Sequence, residues 1–328
     1  MFSIYGIGNP LLDFVAGGDF TLIERLKTRT GTMNLVNRDK MERILSQVAD
    51  YKNIPGGSCA NTIRGVAWLA ETVQVEPLIY CGGIGKDTFG RRYQSILESA
   101  GVISGMAGKK EPSGCSVIIV TPDLERTMFT YLGACRELDE RDLDFEAIAE
   151  SRFLYFTGFM WDTENQKRAI FKAVEVAEKN GVRVVFDLAD PFLVQRNRDE
   201  LKEWLPGRID ILFGNREELS LLSGIEGDDE RIIKEAGDYA EIMIMKLGSD
   251  GCMVRQNGKI FSESGIKAET VDTTAAGDSF AAGFLYGLLR GMTVSYSARF
   301  ANHLAAAIVE VHGCDYHSLN QSDILKGS

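Results

Sequence analysis

The chain has 328 residues, 45% hydrophobic and 25% charged, with a formal net charge of −11, which supplies a large buried core and argues against a basic face for a nucleic-acid backbone. Its six cysteines lie far apart with no C-x-x-C pair, so neither a zinc knuckle nor a disulfide framework is expected. The start runs directly into the apolar stretch Ile4 to Ile7, and no apolar run reaches the ~18 residues a membrane span needs, so a cytoplasmic protein that binds no membrane is expected.

Along the chain, the first apolar run is followed by Asn9-Pro10-Leu11-Leu12-Asp13. Asp13 is therefore expected at the carboxyl end of a strand, where α/β sheets open towards ligands, and a carboxylate there suits a vicinal diol. Leu11 to Phe20 and Gly31 to Asn37 read as short strands. Pro55-Gly56-Gly57-Ser58-Cys59-Ala60-Asn61 then sets a glycine pair before the helical face Ile63, Val66, Ala67, Leu69. Glycine lets sugar hydroxyls meet the backbone, and Asn61 offers both a donor and an acceptor. Taken singly, each motif is more often a turn and a cap than a binding site.

Leu78 to Cys81 is the next buried strand. Gly82 to Lys86 after it is no phosphate loop, because G-x-x-x-x-G-K requires glycine where Tyr80 stands. Ser113 to Thr121 and Arg126 to Leu132 flank the turn Pro122-Asp123. With the two early strands they predict a small sheet, formed by roughly 11–37 and 113–133, that projects from the body as a lid. Phe153 to Phe156, Arg183 to Phe186, Ile211 to Phe213 and Ile242 to Lys246 are short apolar runs bounded by Gly, Asp or Asn, as buried parallel strands are. Between them Asn165 to Lys179 places Ile170, Val174 and Ala177 on one helical face and stops at Gly181, which sets a βαβ rhythm. The expected fold is α/β: one domain over 1–328, a doubly wound, mostly parallel sheet flanked by helices, with a small β-sheet lid.

Asn215-Arg216-Glu217-Glu218 follows a strand with capping-box spacing, and Asn215 and Glu218 in that place also suit the waters of a magnesium ion. Lys246-Leu247-Gly248-Ser249-Asp250-Gly251 ends a strand in a glycine turn that fits either a nucleotide or a hairpin. The densest signal is Val271-Asp272-Thr273-Thr274-Ala275-Ala276-Gly277-Asp278, which leads into a helix carrying Phe280, Phe284, Leu285 and Leu288 and ending at Gly291. Small residues at a helix N-terminus let the N–H groups of Ala275, Ala276 and Gly277 approach a phosphate. Asp278 beside that anion hole can take the proton of an attacking hydroxyl, or simply serve as an acidic cap. The histidines, His303, His312 and His317, form no triad or metal pattern.

These strings, in this order and through almost the whole chain, resemble the ribokinase-like family of carbohydrate and nucleoside kinases, the phosphofructokinase-B group, and look most like its adenosine-kinase branch. The resemblance is carried by Gly8 to Asp13, Gly56-Gly57-Ser58 with Asn61, Gly83 to Asp87 with Phe89-Gly90, Asp210 to Asn215 with Glu218, and Val271 to Asp278. It implies an ATP- and Mg2+-dependent kinase acting on the primary hydroxyl of a nucleoside, adenosine first, or of a related ribosyl or sugar compound. By the same resemblance Asp278 is the base, Ala275, Ala276 and Gly277 form the anion hole, and Arg126 reaches the transferred phosphate from the lid. Asp13, Gly56, Gly57 and Asn61 would bind sugar hydroxyls, with Leu11, Phe159 and Met160 forming a slot for a base. Asn215 and Glu218 would order Mg2+ through water, Lys246, Gly248, Gly251 and His303 would meet the nucleotide, and K+ would lie near Asp272 and Thr274. The family signature has glycine where this chain has Ala275, and an added methyl there narrows the hole if the position needs positive φ. A ribokinase- or fructokinase-type sugar kinase and a non-catalytic ligand sensor are the competing expectations; the lack of G-x-G-x-x-G after the first strand speaks against a dehydrogenase. The chain is expected to act on a small molecule as a monomer or homodimer.

Overall fold

The computed structural model describes residues 1–326 apart from Ala49, Gln74 and Leu124. Its strands are β1 (Phe2–Ile7), β2 (Leu11–Gly17), β3 (Met33–Leu35), β4 (Lys52–Gly56), β5 (Leu78–Gly85), β6 (Val102–Lys109), β7 (Gly114–Val120), β8 (Arg126–Tyr131), β9 (Ser151–Thr157), β10 (Arg183–Asp187), β11 (Ile211–Asn215), β12 (Ile242–Lys246), β13 (Gly251–Gln256) and β14 (Lys259–Ser264). They form a 9-stranded sheet in the order β14-β13-β12-β11-β10-β9-β1-β5-β6 and a 5-stranded sheet in the order β3-β8-β7-β2-β4. In the large sheet every pair from β12 to β6 is parallel, and β13 and β14 are added antiparallel.

The apolar runs read from the sequence fall in this parallel region because helices cover both faces of it. One face packs Ile63, Val66, Phe280, Phe284, Phe300 and Leu304 of the helices Ser58–Leu69, Ala276–Leu289 and Val294–Ile308 against it. The other takes Ile170, Val174, Leu193 and Leu201 of Glu164–Asn180 and Pro191–Trp204. Gly181 stops the first of these in the left-handed region at φ 68°, as expected. The chain leaves β1 towards β5 and β6 on one side and resumes at β9 on the other, so the order reverses beside β1. That reversal opens a crevice at the carboxyl ends of the strands.

The small sheet has period-two alternation with both faces in use. Leu12, Phe14 and Ala16 of β2, Val117 and Ile119 of β7 and Phe129 of β8 are buried against Leu22, Ile23, Met41 and Ile44 of the helices Phe20–Arg25 and Arg38–Leu45. The intervening residues Leu11, Asp13, Ser116, Ile118, Met128 and Thr130 face the crevice. The expected lid thus contains two helices and the strand β4 in addition to its predicted strands. Phe20, read as the end of a strand, begins a helix capped by the Asp19 side chain.

Candidate active site

A cavity of about 410 Å³ lies between the small sheet and the carboxyl ends of β1, β9, β10, β11 and β12. Asn9, Thr157, Asp187, Asn215 and Lys246 line its floor, and Leu11, Asp13, Met33, Leu35, Ile118, Arg126 and Met128 line its roof. Asp278 and the segment Thr273 to Gly277 close one end.

Asp278 sits in the first turn of the helix Ala276–Leu289. Its carboxylate accepts from Ser58 Oγ at 2.6 Å and from Asn61 Nδ2 at 2.8 Å. Burial pushes its carboxyl above the ordinary range, restrained by those two bonds, while Asp187 adds to the rise and Lys246 opposes it. Asn61, expected to meet sugar hydroxyls, therefore also holds the expected base, and its own Oδ1 is buried without a hydrogen bond. The turn bringing Ser58 and Asn61 there requires glycine: Gly57 has φ 97°, and a Cβ on it would lie 2.3 Å from the Asn9 carbonyl oxygen.

Ala275 adopts φ 60° and ψ 13°, the left-handed conformation that the departure from glycine raised as a concern. The Ala276 N–H turns back to the Thr273 carbonyl at 3.3 Å, whereas those of Ala275 and Gly277 meet no protein acceptor among the described residues. Two of the three N–H groups expected to form an anion hole are thus left open. Asp272 braces it from behind: one oxygen accepts the Thr274 N–H at 2.8 Å and the Thr274 hydroxyl, and the other accepts the Gly313 N–H at 2.8 Å.

Arg126 crosses from β8 to this segment, donating to Thr274 Oγ1 and lying 3.8 Å from Asp272. The Asp13 side chain faces the cavity, and its carboxylate accepts no hydrogen bond from the described residues, although its backbone pairs with Ile54 and Ser116. Burial pushes its carboxyl up to about 7, with Arg126 opposing and Asp278 adding to the rise. Gly56 does not line the cavity; it lies beneath Asp13, and a Cβ there would come within 2.0 Å of the carboxylate.

Asn215 and Glu218 form the capping box read from their spacing: the Asn215 N–H and Nδ2 donate to the two Glu218 oxygens at 2.8 and 2.9 Å. Burial raises the Glu218 carboxyl, opposed by Lys246. No group of three or more His, Cys, Asp or Glu among the described residues can hold a metal directly. Both residues line the cavity, and a carboxylate beside an amide suits a magnesium ion that keeps much of its water.

A second cavity adjoins the first, lined by Lys246, Gly248, Gly251, Ile266, Ala276, Gly277, Phe280, Asn302 and Val309. His303, expected to meet the nucleotide, does not line it; on that helix Asn302 does. Met160, expected in a slot for a base, is fully buried in the large core, while its neighbour Phe159 lines the first cavity. Ser58 and Asp187 also line the first cavity, and neither is among the expected site residues. Ser58 follows the glycine pair directly, and Asp187 ends the strand whose apolar run stops at Phe186.

The pfkB family carbohydrate kinase domain matches residues 31–321. The chain belongs to the pfkB family of carbohydrate kinases. It is 26% identical to adenosine kinase 1 of Arabidopsis thaliana over 336 residues, covering 95% of each protein. It is also 26% identical to the 5-dehydro-2-deoxygluconokinase of Geobacillus kaustophilus over 301 residues, 85% of this chain and 86% of that one. The crystal structure of adenosine kinase from Sinorhizobium meliloti superposes with a TM-score of 0.92 at 30% identity, covering 99% of this chain and 98% of that one. This kinase accordingly uses ATP to phosphorylate a small sugar or nucleoside. Among the described residues, no helix is long and apolar enough to cross a membrane.

Proposed function

We propose that this kinase transfers the terminal phosphoryl group of ATP to the primary hydroxyl of a ribonucleoside, with adenosine as the foremost candidate. One observation carries the choice of acceptor: apart from Asp13, Arg126, Ser116 and Thr130, the roof is apolar. Leu11, Met33, Leu35, Ile118 and Met128, with Phe159 in the opposite wall, give a planar base an apolar slot. A bare sugar, with hydroxyls all round, would leave some of them unpaired there. Asp13 takes two ribose hydroxyls, and Asp278 accepts the proton of the attacking one as the oxygen–phosphorus bond forms and the bond to ADP breaks. Arg126 and the N–H groups of Ala275 and Gly277 meet the charge on the moving group. Mg2+, when bound, neutralises phosphate charge, with Glu218 and Asn215 ordering its waters.

The equal likeness to 5-dehydro-2-deoxygluconokinase favours a sugar derivative as the second reading. Measuring ADP release with adenosine, inosine, ribose, fructose and 5-dehydro-2-deoxygluconate separates them. Adenosine is expected to have the highest kcat/KM, and a higher value for any of the sugars overturns the nucleoside reading.

K+ belongs to the same proposal, and because Asp272 already serves Thr274 and Gly313, backbone carbonyls near it and Thr274 are the candidate ligands. Turnover in K+ against tetramethylammonium tests this. The buried free cysteines suit a reducing cytoplasm. The lid's own helices fill its outer face, which favours a monomer over a homodimer.

A further inference from the structure

The two cavities share one wall. Lys246, Gly248, Thr273, Ala276 and Gly277 line both, so a phosphoryl group passing from a nucleotide in one to a hydroxyl in the other crosses it. Lys246 ends β12 and reaches into that wall. Its Nζ lies 3.3 Å from the position a Cβ on Gly277 would take, against the first turn of the helix whose uncommitted N–H groups form the anion hole. The ammonium is tethered there: Asp187, at the end of β10, accepts from it at 3.0 and 2.8 Å on its two oxygens. The side chains are 15% and 2% exposed. Packing alone gives little reason for such a pair, since well-packed apolar residues often replace a buried ion pair at no loss of stability.

We propose that Lys246 is the resident cation for the transferred phosphoryl group, and that Asp187 is the positioning residue that holds its ammonium at the wall between the two cavities. Lys246 gives up no proton and forms no bond in this step. It meets the charge on the moving group while Asp278 receives the hydroxyl proton and ADP departs with the electron pair of the broken bond. The inference needs phosphoryl transfer, which the family supplies, and does not need the acceptor to be a nucleoside.

The test therefore uses no acceptor. Calorimetry with Mg2+ compares the affinity for ADP with that for the β,γ-methylene analogue of ATP in the wild type, Lys246→Met, Asp187→Ala and the double variant. A charge-assisted contact to the terminal phosphate predicts that Lys246→Met weakens the analogue roughly tenfold or more while ADP changes less than about twofold. Asp187→Ala should show the same selective loss, and should add nothing in the Lys246→Met background, where no ammonium remains to be positioned. In turnover with the best acceptor, Lys246→Arg should recover part of the kcat lost in Lys246→Met. Equal losses for ADP and the analogue overturn the role of Lys246, and additive losses in the double variant overturn that of Asp187. If Asp187→Ala strands the buried ammonium and does not fold, Asp187→Asn, whose amide oxygen can still accept from the ammonium, replaces it in both the single and the double variant of the cycle.

Discussion

Two of the carboxylates that line the first cavity stand in opposite conditions. Asp278, in the body, has both oxygens already held, by Ser58 and Asn61 on a helix packed into the main core. Asp13, in the lid, has a carboxylate that accepts no hydrogen bond from the described residues and sits over Gly56 on a strand of the smaller sheet. The first is fixed before any ligand arrives, as a group needed at the moment of reaction should be. The second has its hydrogen-bonding capacity left for a ligand to fill, as a group that selects the acceptor should have. On the proposed reading, the body of this kinase serves the chemistry and the lid serves the choice of acceptor.

The comparison breaks most sharply at Asp278. Asp278→Asn keeps the size of the side chain and the chance of bonds to Ser58 and Asn61 but cannot accept the proton. A fall in kcat of about 10²–10⁴ is expected, with ADP affinity near normal by calorimetry. Turnover within tenfold of wild type would remove Asp278 from the base role and with it the division between body and lid.

Gly56→Ala probes the lid without touching the charge of Asp13. A methyl within 2.0 Å of the carboxylate must displace Asp13 or the strand beneath it. Acceptor KM should rise by roughly tenfold or more, the worth of a charge-assisted hydrogen bond, with ATP KM little changed. A rise in ATP KM as large as that for the acceptor would show that the lid serves both substrates.

The next effect is one of pH. The folded Asp13 carboxyl titrates at about 7, against 3.8 for an ordinary one, so between those values the folded chain binds a proton that the unfolded chain has released. Stability from this group is therefore greatest at acid pH and falls as pH rises from about 4 to about 7. Acceptor binding moves the other way, because only the ionised form accepts two hydroxyls, so acceptor KM should rise as pH drops below about 7. Asp13→Asn should flatten both trends and raise the melting temperature at pH 8, as measured by scanning calorimetry and by KM across pH. An unchanged pH dependence in that variant would assign the titration to another group.

The legibility of the molecule follows the same division. Asp278, its small-residue approach, and the capping box of Asn215 and Glu218 were readable because each lies within one contiguous string at a strand end or helix start. Their partners were not, since Ser58 meets Asp278 across 220 residues and Asp187 meets Lys246 across 59. The lid was read as strands alone. Lys52–Gly56 carries Lys, Asn, Pro and Gly and has little of a strand's composition, while the helix Phe20–Arg25 has 6 residues, too few to show an apolar period. Phe159 and Met160 are neighbours in a tight turn, so one faces the cavity and the other the core, and composition cannot tell which.

The smallest effect expected is at Ala275, where the body departs from the family signature. Its left-handed backbone costs about 1 kcal/mol relative to glycine, and glycine would in turn cost roughly 0.4–1 kcal/mol through the freedom it adds to the unfolded chain. The two nearly offset, so Ala275→Gly should leave the melting temperature almost unmoved. The N–H groups of Ala275 and Gly277 already meet no protein acceptor with the methyl in place, so the hole does not need glycine to expose them. Initial rates should accordingly change by less than about twofold, a shift in barrier of only a few tenths of a kcal/mol. A tenfold gain in kcat would instead mean that the methyl obstructs the phosphate, and that the body, like the lid, is still incomplete until its ligand arrives.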